Sequence, residues 1–67
     1  MQPYQERVIT EKQELDDKLT KLEAFLQSKI FPTLSPDEQG RLEDQATIMK
    51  QYSEILGKRI AAFGVTP

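Results

Sequence analysis

The sequence predicts an all-α protein, in which two long antiparallel helices form a hairpin that assembles into a homo-oligomer. Apolar residues recur at spacings of three, four or seven in both halves of the chain, as they do along one helix face. A proline-containing segment separates the two halves. Because the chain has only 67 residues, one hairpin buries about 60% of the surface that its unfolded form exposes. A lone hairpin would therefore be marginally stable, and assembly is expected.

The first helix is predicted over about residues 3–28. Proline suits the first helical position, because the N–H group that Pro3 lacks has no partner there in any case. Pro32 disfavours helical backbone at Phe31, so residues 29–35 are predicted to form the turn. The apolar stripe of this helix consists of Tyr4, Val8, Leu15, Leu19, Leu22 and Leu26.

The second helix is predicted over about residues 36–63, which makes residues 1–67 a single helical-hairpin domain. Ser35 is the expected N-cap, Pro36 the first helical residue and Glu38 the partner that completes a capping box. The apolar stripe of this helix consists of Leu42, Met49, Tyr52, Leu56, Ile60 and Phe63.

Glycines mark the interior and the end of the second helix. Gly64 and Pro67 are expected to stop it. Gly40 and Gly57 lie inside it, where glycine is up to about 1 kcal/mol less favourable than alanine. We expect close packing of the backbone at both positions.

Ile48 and Ile55 predict a second apolar row, one heptad apart on the flank of the second helix. Such a row is typical of a helix that packs on two sides; a wide core stripe is the alternative. The chain has no cysteine and no histidine, so disulfides are excluded and a zinc site is not expected. We therefore favour a contact between copies of the chain at this row.

Composition also limits the function. Nine Lys and Arg against eleven Asp and Glu give a net charge of −2, which does not favour binding to DNA, RNA or a membrane surface. No signal-peptide run occurs, and no segment reaches the roughly 20 apolar residues of a membrane span. Without cysteine and histidine, the common nucleophilic and acid–base catalysts are missing. We expect a soluble intracellular protein that is not an enzyme and uses no metal or cofactor.

Tyr4, Lys18 and Arg59 are the candidate ligand-binding residues. An aromatic ring can stack on a base while a lysine or arginine binds a phosphate, so this combination suits a nucleotide. Structural roles are the alternative: Lys18 pairs with Glu11 or Glu14, Arg59 lies in an oligomer interface, and Tyr4 is a hydrophobic staple.

Tyr4 and Lys18 cannot share a small ligand within one straight helix. At 1.5 Å per residue they lie about 21 Å apart. A shared site requires residues from two protomers, or a break in the helix near its start.

A spaced pattern of apolar, aromatic and basic residues runs through both helices. It consists of Tyr4-Gln5-Glu6-Arg7-Val8-Ile9, Glu11, Leu15, Lys18, Leu22, Phe25, Leu42, Gln45, Met49, Tyr52, Ile55-Leu56 and Arg59-Ile60. Over about residues 3 to 63 this pattern resembles the phage family of anti-CBASS cyclic-oligonucleotide sponges.

The resemblance implies a homohexamer that sequesters cyclic dinucleotides such as cGAMP, and cyclic trinucleotides, in the cytoplasm of the infected bacterial host. Such binding blocks CBASS immunity without turnover. No long extension follows Phe63, so family contacts made by a longer tail are not expected here.

The resemblance also implies roles for single residues. Tyr4 matches the aromatic residue that stacks on a base of the cyclic dinucleotide, and Lys18 matches the lysine that contacts its phosphates. Arg59 is the candidate for a separate cyclic trinucleotide site on a three-fold axis. Arg7 and Thr20, which lie near Tyr4 and Lys18 along the first helix, are further candidates for hydrogen bonds to the ligand.

A second hypothesis is a structural or adaptor oligomer that binds a host or phage protein. In that case Lys18 and Arg59 would form interface salt bridges, and cyclic nucleotides would leave the stability of the protein unchanged. A messenger-cleaving enzyme is a third hypothesis, which recovery of intact ligand would exclude.

Overall fold

The computed structural model describes residues 1–64, and it confirms the all-helical class without any β-strand in that range. Helix α1 spans Pro3–Leu26 and helix α2 spans Pro36–Phe63, with a short 3-10 turn at Phe31–Thr33 between them. The two helices run antiparallel, since Tyr4 at the start of α1 contacts Phe63 at the end of α2. The hairpin is a rod of 51 × 16 × 14 Å.

Helix α1 is continuous from its first residue. The Gln2 N–H donates to the Gln5 side-chain oxygen at 2.8 Å, which closes the first turn ahead of Pro3. The break near the start that would have brought Tyr4 toward Lys18 is therefore not present. The separation of about 21 Å along the helix axis stands.

The turn begins two residues before the predicted end of the first helix. The N–H groups of Gln27 and Ser28 donate to the carbonyls of Ala24 and Phe25 at 3.2 and 3.0 Å. Phe25 then packs edge-to-face on Phe31, with the ring centres 6.4 Å apart. This contact holds the turn against the end of α1.

The cap of α2 differs from the predicted capping box. The Ser35 hydroxyl accepts a hydrogen bond from the Glu38 N–H at 3.2 Å, as the motif requires. The Glu38 carboxylate, however, binds Arg41 at 2.8 Å and does not return to the Ser35 N–H. An ion pair within the helix has replaced the second half of the box.

The core between the helices is thin. Val8, Leu19 and Leu56 are the buried apolar side chains of the described residues. Tyr4 and Tyr52, both placed in the core stripes by their spacing, are 51% and 44% exposed. Their positions lie at the border of the interface, where a long side chain reaches solvent.

Ile48 and Ile55 are 62% and 55% exposed, so they lie outside the contact between α1 and α2. A second apolar row on the flank of α2 is thus present.

The two interior glycines differ. A Cβ added at Gly57 would lie 3.4 Å from Lys12 Cε, so the Lys12 stem packs close to this backbone. At Gly40 an added Cβ would meet no atom within 4 Å, and the expectation of close packing there is wrong for a single chain. Gly64 follows α2 with an ordinary φ of −90°; Pro67 lies outside the described residues.

Candidate ligand-binding face

One side of the hairpin collects four of the five candidate residues. At 100° per residue, the α1 members lie within about 60° of one another, and so do the α2 members. The Tyr52 hydroxyl donates a hydrogen bond to the Glu11 carboxylate, which shows that these two flanks adjoin. We call this surface the Tyr52 face; it consists of Tyr4, Arg7, Glu11 and Lys18 on α1 and Ile48, Tyr52, Ile55 and Arg59 on α2.

The register of the helices sets the order along this face. Tyr4 contacts Phe63, and Glu11 contacts Tyr52. By the same antiparallel pairing, Arg59 lies level with Arg7 at one end of the face. Lys18 lies about 16 Å further along α1 from Arg7.

Tyr4 is held at one side and open at the other. Its ring packs edge-to-face on Phe63 of α2, with 5.8 Å between the ring centres. Because Gln2 is the N-cap of α1, Tyr4 lies inside the helix, and this is a contact between the helices and not the hydrophobic staple considered for it. Half of the side chain nevertheless remains exposed. A base could still stack on the open part of the ring, where aromatic contacts contribute about 1–3 kcal/mol per base.

The three basic residues of the Tyr52 face have no anionic partner. Arg7, Lys18 and Arg59 are exposed and form no ion pair or hydrogen bond with any of the described residues. The alternative pairing of Lys18 with Glu11 or Glu14 is therefore not observed. Their donors are open to solvent, and guanidinium and ammonium groups form strong, charge-assisted hydrogen bonds with phosphate.

Thr20 does not belong to this face. It lies about 160° around α1 from Lys18 at 100° per residue. Its hydroxyl donates to the Asp16 carbonyl oxygen at 2.9 Å. Within one chain, Thr20 and Lys18 thus cannot contact the same small ligand.

A shallow depression of about 350 Å³ adjoins the Tyr52 face. Of the candidate residues it contains only Arg7. The other lining residues, apart from Thr10, are carboxylates, so the depression does not suit an anion by itself. Its lining consists of Glu6, Arg7, Thr10, Glu11 and Glu14.

A polar cluster between the helices escaped the sequence analysis. Lys12 Nζ donates to Asp16 Oδ2 at 2.8 Å and to Ser53 Oγ at 2.9 Å. The Ser53 hydroxyl, which is buried, donates to the other Asp16 oxygen. The hydrogen bonds from Lys12 and Ser53 lower the pKa of Asp16 below its usual range. The sequence signal for this cluster was Ser53, a polar residue at a core position three residues before Leu56.

The contact between Tyr52 and Glu11 was missed as well. The hydrogen bond to Glu11 is the main reason why the pKa of Tyr52 is raised. The two residues lie 41 positions apart in the sequence, so no local spacing pattern links them. Only the register of the hairpin brings them together.

No helix within residues 1–64 combines the length and apolar character needed to cross a membrane.

Comparison with known proteins relates the chain to a phage protein and to a protein family. It is 46% identical over 63 residues to the uncharacterized 7.5 kDa protein in the denB-rIIB intergenic region of Enterobacteria phage T4. That alignment covers 94% of this chain and 98% of the relative. No solved structure gives a significant match. The Sequestin family model matches residues 2–62, and since this is nearly the whole chain, the protein belongs to the Sequestin family.

Proposed function

We propose that the protein sequesters cyclic oligonucleotide second messengers as a homo-oligomer, and so blocks CBASS antiphage immunity. The ligands are cyclic dinucleotides such as cGAMP, and cyclic trinucleotides. The protein binds them without turnover, in the cytoplasm of the infected host. The family name, Sequestin, and the phage T4 relative support sequestration in a phage context.

The observation that carries the proposal is the composition of the Tyr52 face. It presents an open aromatic ring at Tyr4 together with three basic side chains that no carboxylate engages. A cyclic oligonucleotide needs both kinds of group, since its bases offer faces for stacking and its phosphates carry charge.

Two protomers share each dinucleotide in this proposal. The continuous α1 keeps Tyr4 about 21 Å from Lys18 in one chain, so residues of a second copy complete the site. A two-fold contact repeats every residue, and a cyclic dinucleotide repeats its phosphate and its base in the same way. The exposed Ile48 and Ile55 provide apolar surface for contacts between copies. Arg59 serves a separate trinucleotide site in which three copies meet.

Calorimetric titration with a panel of cyclic di- and trinucleotides tests the function. We expect micromolar or tighter binding of at least one of them, and recovery of intact ligand after the complex is denatured. Absence of binding across the panel would contradict sequestration. Recovery of a linear product would identify an enzyme instead.

Lys18→Ala tests the site. We expect it to weaken dinucleotide binding by about 2 kcal/mol or more, about 30-fold, because a charge-assisted contact to phosphate is lost. Lys50→Ala is the matched control, since it removes the same charge from an exposed position on the opposite flank of α2. Equal affinities for the two variants would show that Lys18 is an ordinary surface lysine.

An adaptor function is the second candidate, and the exposed row of Ile48 and Ile55 favours it. Under this alternative a host or phage protein covers the row. Thermal denaturation separates the two functions. Cyclic nucleotide at about a hundred times its Kd should stabilise a sequestering protein by about 2.7 kcal/mol per site, whereas an adaptor would not respond.

A further inference from the structure

Arg7 and Glu11 are spaced as an ion pair but do not form one. Residues four apart on a helix are neighbours, and opposite charges at this spacing attract. Both side chains line the same depression, and yet no ion pair joins them. The Glu11 carboxylate instead accepts the hydrogen bond from the Tyr52 hydroxyl of α2.

We propose that Tyr52 is a positioning residue for anion binding: it holds the Glu11 carboxylate toward α2 and so leaves the Arg7 guanidinium open to a ligand phosphate. The proposal rests on the proposed function, in which an anionic ligand occupies the Tyr52 face. Tyr52 acts here through Glu11 and Arg7, with no contact to the ligand of its own.

The relative strengths of the two interactions support this assignment. A hydrogen bond from a neutral hydroxyl to a carboxylate is charge-assisted and strong. An exposed ion pair at i, i+4 contributes little, and the order with the basic residue first is the weaker one. Glu11 is therefore expected to stay with Tyr52 as long as the hydroxyl is present.

Arg59 benefits from the same arrangement. It lies level with Arg7 on the Tyr52 face, and its charge acts on the Tyr52 hydroxyl. With Glu11 engaged by that hydroxyl, both guanidinium groups at this end of the face remain without an anionic partner.

Titration of the oligomer with cGAMP tests the proposal on matched variants. Tyr52→Phe removes only the hydroxyl, and we expect about two- to fivefold weaker binding, which corresponds to the exposed ion pair that then competes for Arg7. Glu11→Gln should bind at least as tightly as the wild type. The double variant Tyr52→Phe with Glu11→Gln should regain wild-type affinity, because the Glu11 carboxylate that would otherwise pair with Arg7 is removed.

Two further variants separate positioning from a structural role. In an Arg7→Ala background, Tyr52→Phe should have no additional effect, since the guanidinium it keeps open is gone. Thr47→Val is the control for hydroxyl removal, because that hydroxyl donates only to the Glu43 carbonyl of α2. The proposal would be overturned if Tyr52→Phe with Glu11→Gln bound cGAMP as weakly as Tyr52→Phe alone. It would also be overturned if Tyr52→Phe weakened binding by the same factor in the Arg7→Ala background as in the wild type.

A measurement without ligand keeps this inference distinct from the proposed function. We expect Tyr52→Phe to shift the NMR signal of the Arg7 side-chain N–H group, and the further change Glu11→Gln to reverse the shift. An unchanged Arg7 signal in Tyr52→Phe would overturn the positioning role. If the wild type bound no cyclic nucleotide while the NMR shift occurred, the function would fail and the arrangement of the three residues would stand.

Discussion

Ser53 shows how one buried hydroxyl can fix the relation between two helices. It accepts from Lys12 and donates to Asp16, so α2 contacts an ion pair of α1 at one defined level. Sliding the helices past each other by one turn would leave the buried hydroxyl without partners, which costs about 1–3 kcal/mol. The cluster therefore opposes alternative registers in addition to the apolar contacts of the core.

Ser53→Ala is expected to lower the free energy of unfolding by about 1–2 kcal/mol, since two hydrogen bonds are lost. Urea denaturation measures the change. Thr47→Ala is the matched control, because it removes an exposed hydroxyl that bonds only within α2. A loss no larger than that of the control would mean that solvent replaces the Ser53 contacts.

The contribution of Asp16 to the same cluster depends on pH. Its pKa is lowered in the folded protein from the ordinary value of 3.8, so its ionised form stabilises the fold above that pH. As the pH falls below 3.8 and through the lowered folded pKa, this stabilisation is lost. Unfolding measured along this range should show the wild type losing its advantage over Asp16→Asn. A difference in the free energy of unfolding between the two proteins that stays constant down to pH 2 would contradict this prediction.

At the scale of the helices, the sequence predicted most of what the structure contains. Apolar periodicity and Pro32 were sufficient for two helices and a turn, and Ser35 identified the start of α2. The return bond from Glu38 was predicted wrongly, because Arg41, three residues away, competes for the same carboxylate. In this chain, a capping motif predicts a hydrogen bond reliably only where no other side chain within reach competes for the same group.

The candidate face was predictable only in part. Sequence spacing places Tyr4, Arg7 and Lys18 on one flank of α1, and Arg59 on one flank of α2. Which flanks adjoin depends on how the helices pack, and the contact of Glu11 with Tyr52 reveals it. Thr20 was proposed because it lies near Lys18 along the chain, but it lies about 160° around α1 from Lys18 and so falls outside this face.

Gly40 and Gly57 allow a matched test of helix packing. Gly40→Ala should raise the free energy of unfolding by about 0.5–1 kcal/mol, since the new methyl group meets nothing and the helix propensity improves. Gly57→Ala should gain less, because Lys12 Cε lies 3.4 Å from the added atom. Thermal or urea denaturation measures both. A destabilising Gly40→Ala would show that another copy packs against this backbone.

At the scale of the whole molecule, the hairpin is more extended than a compact domain of the same length. Its radius of gyration is 15.3 Å, against about 11 Å for a compact domain of this length. Ile48 and Ile55 remain exposed on the Tyr52 face. An interface between copies that includes this face would cover them.

Ile55→Lys is expected to reduce the mass of the assembly, because a charged group would enter the contact between copies. Native mass spectrometry measures the subunit number. Ala61→Lys is the matched control, since it adds the same charge at an exposed position about 120° away around α2. An unchanged mass for both variants would place the oligomer contact elsewhere on the rod.

The thin core has a consequence for how the protein exists in solution. With three buried apolar side chains in the described part of each hairpin, the assembled state that we propose makes folding and association one equilibrium, in which protein concentration enters directly. In that case dilution would unfold the protein, and the dependence of the folded fraction on protein concentration would report the number of copies in the assembly.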